Sequence, residues 1–111
     1  MLIDYLGMEE KANPNFKGGE KEYNVRMFND GENKYMKGRL VPGASIGYHK
    51  HEGNFEIIYV ISGEGTMIND EGTPSDKVIP GQAYLCADGH SHSLVNTGSE
   101  DLIFFAVVAK S

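Results

Sequence analysis

An all-β sandwich or barrel is the fold that this sequence predicts, and three observations carry the prediction. Short runs rich in Val, Ile, Tyr and Phe recur at intervals of about ten residues, with Gly, Pro, Asn and Asp between them. No long stretch shows the periodicity of an amphipathic helix. The chain of 111 residues, 40% of them hydrophobic, has material for one domain with one core and no room for a second.

Taken in order, the first twenty residues, with Pro14 and the Gly18-Gly19 pair, read as an arm outside the sheet proper, leaving residues 21–111 as the domain. Strands are expected at Tyr23–Phe28 and Lys34–Val41, joined by Asp30-Gly31, where Gly tolerates the positive φ of a tight hairpin. Pro42-Gly43 favours a type II turn into Ser45–His51, which is followed by Phe55–Ile61 and Gly65–Asn69. Asn69-Asp70-Glu71-Gly72 reads as a longer hairpin loop before Lys77–Ile79. Pro80-Gly81 then turns the chain into Gln82–Cys86, and Asp88-Gly89 reverses it into Ser91–Asn96. Leu102–Val108 closes the sheet and is apolar on both faces, so one face packs inside and the other needs cover from the arm or from a second subunit.

Charge narrows the function classes. Acidic residues outnumber basic ones 16 to 10, for a formal net charge of −6, and the Lys and Arg residues form no cluster suited to phosphates. Nucleic acid is therefore not an expected partner. The longest apolar run, Leu102 to Ala109, is far short of the roughly 20 residues that span a bilayer. Met1-Leu2-Ile3-Asp4 opens without the basic and apolar regions of a signal peptide. A lone cysteine, Cys86, has no internal disulfide partner, and together these features predict a cytoplasmic protein away from membranes.

All four histidines fall into two His-x-His pairs, His49/His51 and His90/His92, with Glu56 close behind the first. Residues two apart in a strand share a face, so each pair can present two imidazoles to one point. Their Cα atoms would lie roughly 6.6 Å apart, a span over which both rings can tilt toward an ion about 2.1 Å from each nitrogen. Four scattered histidines would read as surface or hydrogen-bonded core residues; paired beside a glutamate, they read as a metal site.

From Gly43 the order is Gly, five residues, His49, one, His51, four, Glu56, six, Gly63, which resembles the first signature motif of the cupin superfamily at every fixed position. Gly81, five residues, Ala87, one, Gly89, two, His92, three, Asn96 resembles the second, with Ala87 where the family usually has proline. The resemblance implies a small single-domain cupin: a jelly-roll barrel of two antiparallel sheets in which His49, His51, Glu56 and His92 hold one divalent transition metal. It also implies an isologous homodimer. Mixed nitrogen and oxygen donors without thiolate suit Mn, Fe, Ni, Co or Zn alike.

Parity then assigns neighbours. If His49 and His51 point inward, so do Ser45 and Gly47; Glu56 brings Ile58 and Val60, and His92 brings Leu94 and Asn96, the last as a closer of backbone hydrogen bonds. The cavity by the ion is then small and apolar. The phase of Lys34–Val41 stays open, so Arg39 and Tyr59 are the polar side chains able to change that picture. With Glu56 committed to the ion, His90 and Tyr84 are the weak candidates for a catalytic role, His90 lining the mouth. Cys86 reads as a small buried hydrophobe.

The family hosts many chemistries, and two classes follow from the resemblance. One is a small metalloenzyme of dioxygenase, isomerase or lyase type acting on a small molecule. The other is a non-catalytic, metal-dependent binding module for a sugar or another small oxygen-rich ligand. Inward polar side chains mark the second, because buried hydroxyls need partners; an apolar cavity favours the first.

Overall fold

The nine expected runs all form strands, with bounds one or two residues from those read in the sequence, in a computed structural model that describes residues 1–111. A tenth strand lies before them. In chain order they are β1 (Lys11–Pro14), β2 (Glu22–Asn29), β3 (Lys34–Leu40), β4 (Ser45–Lys50), β5 (Asn54–Ser62), β6 (Gly65–Ile68), β7 (Asp76–Val78), β8 (Ala83–Cys86), β9 (Ser91–Val95) and β10 (Leu102–Lys110). They build a six-stranded sheet, β1-β2-β3-β10-β5-β8, and a four-stranded sheet, β4-β9-β6-β7. Every pairing is antiparallel, and the two sheets face each other as a jelly roll without closing edge to edge. No helix is long and apolar enough to cross a membrane.

The arm is corrected in one respect. Lys11–Pro14 pairs with Val25–Glu22 and extends the six-stranded sheet at its edge. An edge strand held by main-chain bonds needs no apolar alternation, and proline is tolerated there because one side of the strand has no ladder to break. After β1, a single 3₁₀ turn, Phe16–Gly18, returns the chain across β4.

Strand alternation fills the space between the sheets. Leu40, Ile58, Val60, Leu94, Leu102 and Phe104 are fully buried there, with Tyr23 stacked on Phe104 at a ring-centroid distance of 5.9 Å. Gly38 makes that stack possible, since a Cβ at this position would overlap both rings. Met36, Gly38 and Leu40 are the buried members of β3, which settles the open phase of that strand: Arg39 points outward and Lys34 shares the inner side. Asn96 closes backbone groups as expected, donating to Leu40 O and Glu100 O at 2.8 Å and accepting from Gly98 N at 2.9 Å.

The outer face of the six-stranded sheet is only partly covered. Tyr5 from the arm meets Phe105 edge-on, with centroids 6.2 Å apart. Ile57, Tyr59, Ile61 and Leu85 stay exposed beside it.

A bulge in β4 corrects the parity reading. Ile46 pairs with Leu94 and His49 with His92, so Gly47 and Tyr48 together stand opposite Ser93. Residues directly opposite share a face. Ile46, not Gly47 or Ser45, therefore accompanies His49 inside. Ser45 and Gly47 are buried instead against the 16–20 segment: Ser45 Oγ accepts from Glu20 N at 2.8 Å, and a Cβ on Gly47 would overlap the carbonyl of Lys17.

Candidate metal centre

The four sequence-selected donors arrive from both sheets. His49 and His92 are cross-strand partners on β4 and β9, His51 lies one residue past β4, and Glu56 comes from β5 in the facing sheet. His51 is anchored through its backbone, its N–H donating to His90 O at 2.9 Å and its carbonyl accepting from Gly89 N at 2.7 Å. Gly89, at φ +84°, permits the reversal that places this contact.

The ligand atoms converge. His49 Nε2 is 3.2 Å from His51 Nε2, which is 3.0 Å from His92 Nε2. Glu56 Oε1 lies 2.9 Å from His92 Nε2 and 3.3 Å from His51 Nε2. No two of the four donors are more than 4.8 Å apart. Atoms about 2.1 Å from a common ion sit about 3 Å or a little more apart, so contacts of 2.9 to 3.3 Å bring the four donors close enough that they could share one ion.

Hydrogen bonds outside the cluster fix which nitrogen points in. His49 Nδ1 lies 2.7 Å from Gly47 O, and His51 Nδ1 lies 2.6 Å from Asn54 Oδ1. Both acceptors select the Nδ1–H tautomer, which leaves the Nε2 lone pair free for an ion. The bulge thus supplies the acceptor that orients His49.

Burial alone would raise the Glu56 carboxyl, but hydrogen bonds from His51 and His92 outweigh it and bring the pKa down to about 2. The hydrogen bond to Glu56 raises His51 above the ordinary histidine value, against the opposing effect of burial. Burial lowers His49. Glu56 is therefore anionic and His49 neutral at pH 7, the states that metal binding needs.

A cavity of about 200 Å³ is lined by three of these donors, His49, His51 and Glu56. Phe16, Met36, Ile46 and Val108 form its apolar wall, whereas Ile58, Val60 and Leu94, expected beside the ion, lie in the core and do not line it. Lys17, Tyr23 and Lys34 also line it, and the sequence reading missed all three. Lys34 was findable, because Met36, Gly38 and Leu40 set an inward phase that includes it. Tyr23 had the same signal from Val25, two residues on, whereas Lys17 sits in an irregular turn that strand parity cannot reach.

The other candidates lie elsewhere. Tyr84 donates to Lys77 O at 2.8 Å and accepts from Ile79 N at 3.0 Å, so its hydroxyl is occupied away from the cluster. His90 is exposed and pairs with Asp70, Nδ1 to Oδ2 at 2.5 Å. Arg39 binds Glu10 at 2.6 Å and Asp101 at 3.2 Å, and Tyr59 is on the outer face, so neither enters the cavity. Cys86 is buried opposite Glu56, and burial followed by the Glu56 and Asp70 charges pushes its thiol up to about 11, which leaves it unreactive at neutral pH.

A Cupin domain family model matches residues 36–108. The chain is 40% identical over 103 residues to the oxalate-binding protein of Thermotoga maritima, covering 85% of this chain and 81% of that one. It is 27% identical over 66 residues to the beta-alanine degradation protein BauB of Pseudomonas aeruginosa, covering 60% and 70%. Among solved structures, a predicted oxalate decarboxylase from Thermotoga maritima superposes over the whole of both chains with a TM-score of 0.91 and 30% identity. A sugar phosphate isomerase from a cupin superfamily, from Silicibacter pomeroyi, shares the fold with a TM-score of 0.81 at 19% identity, covering 100% of this chain and 76% of that one.

Two outcomes follow from this geometry. Asn54→Ala removes the acceptor that orients His51 and lowers Mn(II) affinity by about 10- to 100-fold, with little change in melting temperature, as read by chelator competition; unchanged affinity would remove Asn54 from the site. Because His51 holds its proton to a higher pH than an ordinary histidine, that proton competes with the ion as pH falls. Mn(II) affinity measured from pH 8 to pH 5.5 should decline with the fall beginning above the ordinary histidine pKa of about 6.5; a flat profile would contradict the assignment of His51.

Proposed function

The chain belongs to the cupin family, and from that premise we propose that it is a metal-dependent binding protein for a small carboxylate ligand of the size of oxalate. One observation carries this reading: three Nε2 atoms and Glu56 Oε1 converge, and His49, His51 and Glu56 of that cluster line a cavity of only about 200 Å³. That volume lies below the about 300–1,000 Å³ of sites for drug-sized ligands. His49, His51, Glu56 and His92 would hold the ion, and three imidazoles with one carboxylate suit Mn, Fe, Ni, Co or Zn. Bound there, the ion supplies Lewis-acid attraction for carboxylate oxygens.

The Thermotoga maritima oxalate-binding protein supports the choice of ligand. Polar side chains in the cavity support binding over catalysis, since Lys17, Tyr23 and Lys34 face the ligand space while Tyr84 and His90 are engaged elsewhere. A lyase acting on the same ligand is the second reading, favoured by the solved relative described as a predicted oxalate decarboxylase. Titration calorimetry on Mn(II)-loaded protein separates the outcomes. Oxalate should bind with micromolar affinity, lose binding in His51→Ala and be recovered intact. Release of carbon dioxide would favour the lyase, and absence of binding to the loaded protein would end both readings.

The protein is further proposed to act as a cytoplasmic homodimer. Outward-facing Leu85, Ile57 and Val107 lie in one cross-strand row and Tyr59 and Phe105 in the next, forming an apolar patch that Tyr5 covers only at Phe105. Light scattering at micromolar concentration should give twice the 12.2 kDa chain mass, and Tyr59→Lys should halve it; a monomer in the unmodified protein would refute the dimer.

A further inference from the structure

Lys17 and Lys34 carry no carboxylate partner, a state they share with Lys11, Lys21, Arg26, Lys37 and Lys110. What sets these two apart is their place, for both line the metal cavity, where Glu56 is the only acidic side chain. Lys34 pairs with Val108, which pairs with Glu56, so the three form one row across β3, β10 and β5 on the inner face. Two strand spacings put the Cα atoms of Lys34 and Glu56 roughly 10 Å apart, a gap that a lysine side chain can lean across.

Lys17 is exposed and lies in a left-handed turn that also gives Asn15 and Lys21 positive φ. Its backbone is left-handed, at φ 56° and ψ 26°, a conformation that a residue with a Cβ adopts at a cost of about 1 kcal/mol or more. The turn is fastened in place. Asn15 N–H donates to Lys21 O at 2.7 Å, Asn15 Nδ2 to Gly19 O at 3.0 Å, and Ser45 N–H to Glu20 O at 3.0 Å. Through Gly47 the Lys17 carbonyl lies against β4 two residues from His49. The strand that carries His49 therefore also locates Lys17.

Tyr23 is the third member. Its phenol is buried, and its hydroxyl donates to Met36 Sδ at 3.6 Å, a weak acceptor. A buried donor without a strong acceptor, on the wall of a cavity, is available to a ligand oxygen.

We propose that Lys17, Tyr23 and Lys34 form the anion-selecting half of the site, receiving the carboxylate oxygens that do not bind the ion and so restricting the ligand to small dicarboxylates. This rests on the metal-dependent binding proposed above. A divalent ion exceeds the charge of Glu56, and two ammonium groups add to the excess. A neutral polyol would leave that charge unmatched and a monocarboxylate would meet part of it, whereas a dianion meets most of it.

The test compares oxalate with glycolate, which offers a similar five-membered chelate with one charge fewer. Mn(II)-loaded wild type, Lys17→Met/Lys34→Met and Tyr23→Phe are titrated with each by calorimetry, after Mn(II) affinity has been measured separately. Wild type should prefer oxalate, and the double variant should lose about tenfold or more of its oxalate affinity, with glycolate affinity changed much less and Mn(II) affinity not lowered. Tyr23→Phe should weaken oxalate by roughly threefold. Oxalate affinity retained in the double variant with Mn(II) bound, or a parallel loss for both ligands, would overturn the inference alone. A wild type that takes up no Mn(II) would overturn the binding proposal and this inference with it.

Discussion

Four electron-pair donors held within 4.8 Å of one another in a buried place form the constraint on which this structure depends. Two of the imidazoles are committed by their Nδ1 partners to present lone pairs to the same point as the Glu56 carboxylate. Without a cation, the arrangement is tolerable only if protons are shared within it, which is what the raised His51 and depressed Glu56 values express. A proton satisfies one pair at a time. A divalent ion would satisfy all four at once, which is why the cluster could hold a metal.

Two strand pairings depart from a regular ladder: β10 with β5 between Ile103 and Phe104, away from the donors, and β4, which bulges at Gly47-Tyr48 just before His49. The second bears directly on that constraint. Without the bulge, the alternation through Ile46 would bring Tyr48 inward and turn His49 out. With it, Ile46 fills the inner layer, Gly47 O receives His49 Nδ1, and the bare α-carbon of Gly47 admits the 16–18 turn. One extra residue in a strand thereby aims a ligand, orients its tautomer and seats the wall that bears Lys17.

The sequence made the strands and the four donors legible because both rest on period-two logic and on turn residues, which local sequence records. It misled on Ser45 and Gly47 because a bulge breaks that period without leaving a mark beyond a glycine. β1 escaped because main-chain pairing at a sheet edge requires no side-chain pattern, and Pro14 spoke against a strand. Lys17 was illegible for a stronger reason: its position depends on hydrogen bonds from Asn15, Glu20 and Ser45 that bring together distant parts of the chain. Tyr23 and Lys34 stood in between, reachable once the phase of their strands was known.

A net charge of −6 weighs against an anionic ligand at long range, but the scale of screening decides otherwise. At physiological ionic strength, charges more than about 8 Å apart on the surface are largely screened from each other. The carboxylates scattered over the outside therefore have little effect inside a cavity of about 200 Å³, where the nearest groups are Glu56, Lys17 and Lys34. Glu56 is already engaged by His51 and His92, so its charge is spent within the donor cluster. The potential that a ligand meets at the mouth is set by two unpaired ammonium groups and by whatever ion sits beneath them. An acidic protein can thus present a cationic cavity, and the placement of two lysines outweighs the composition of the whole chain.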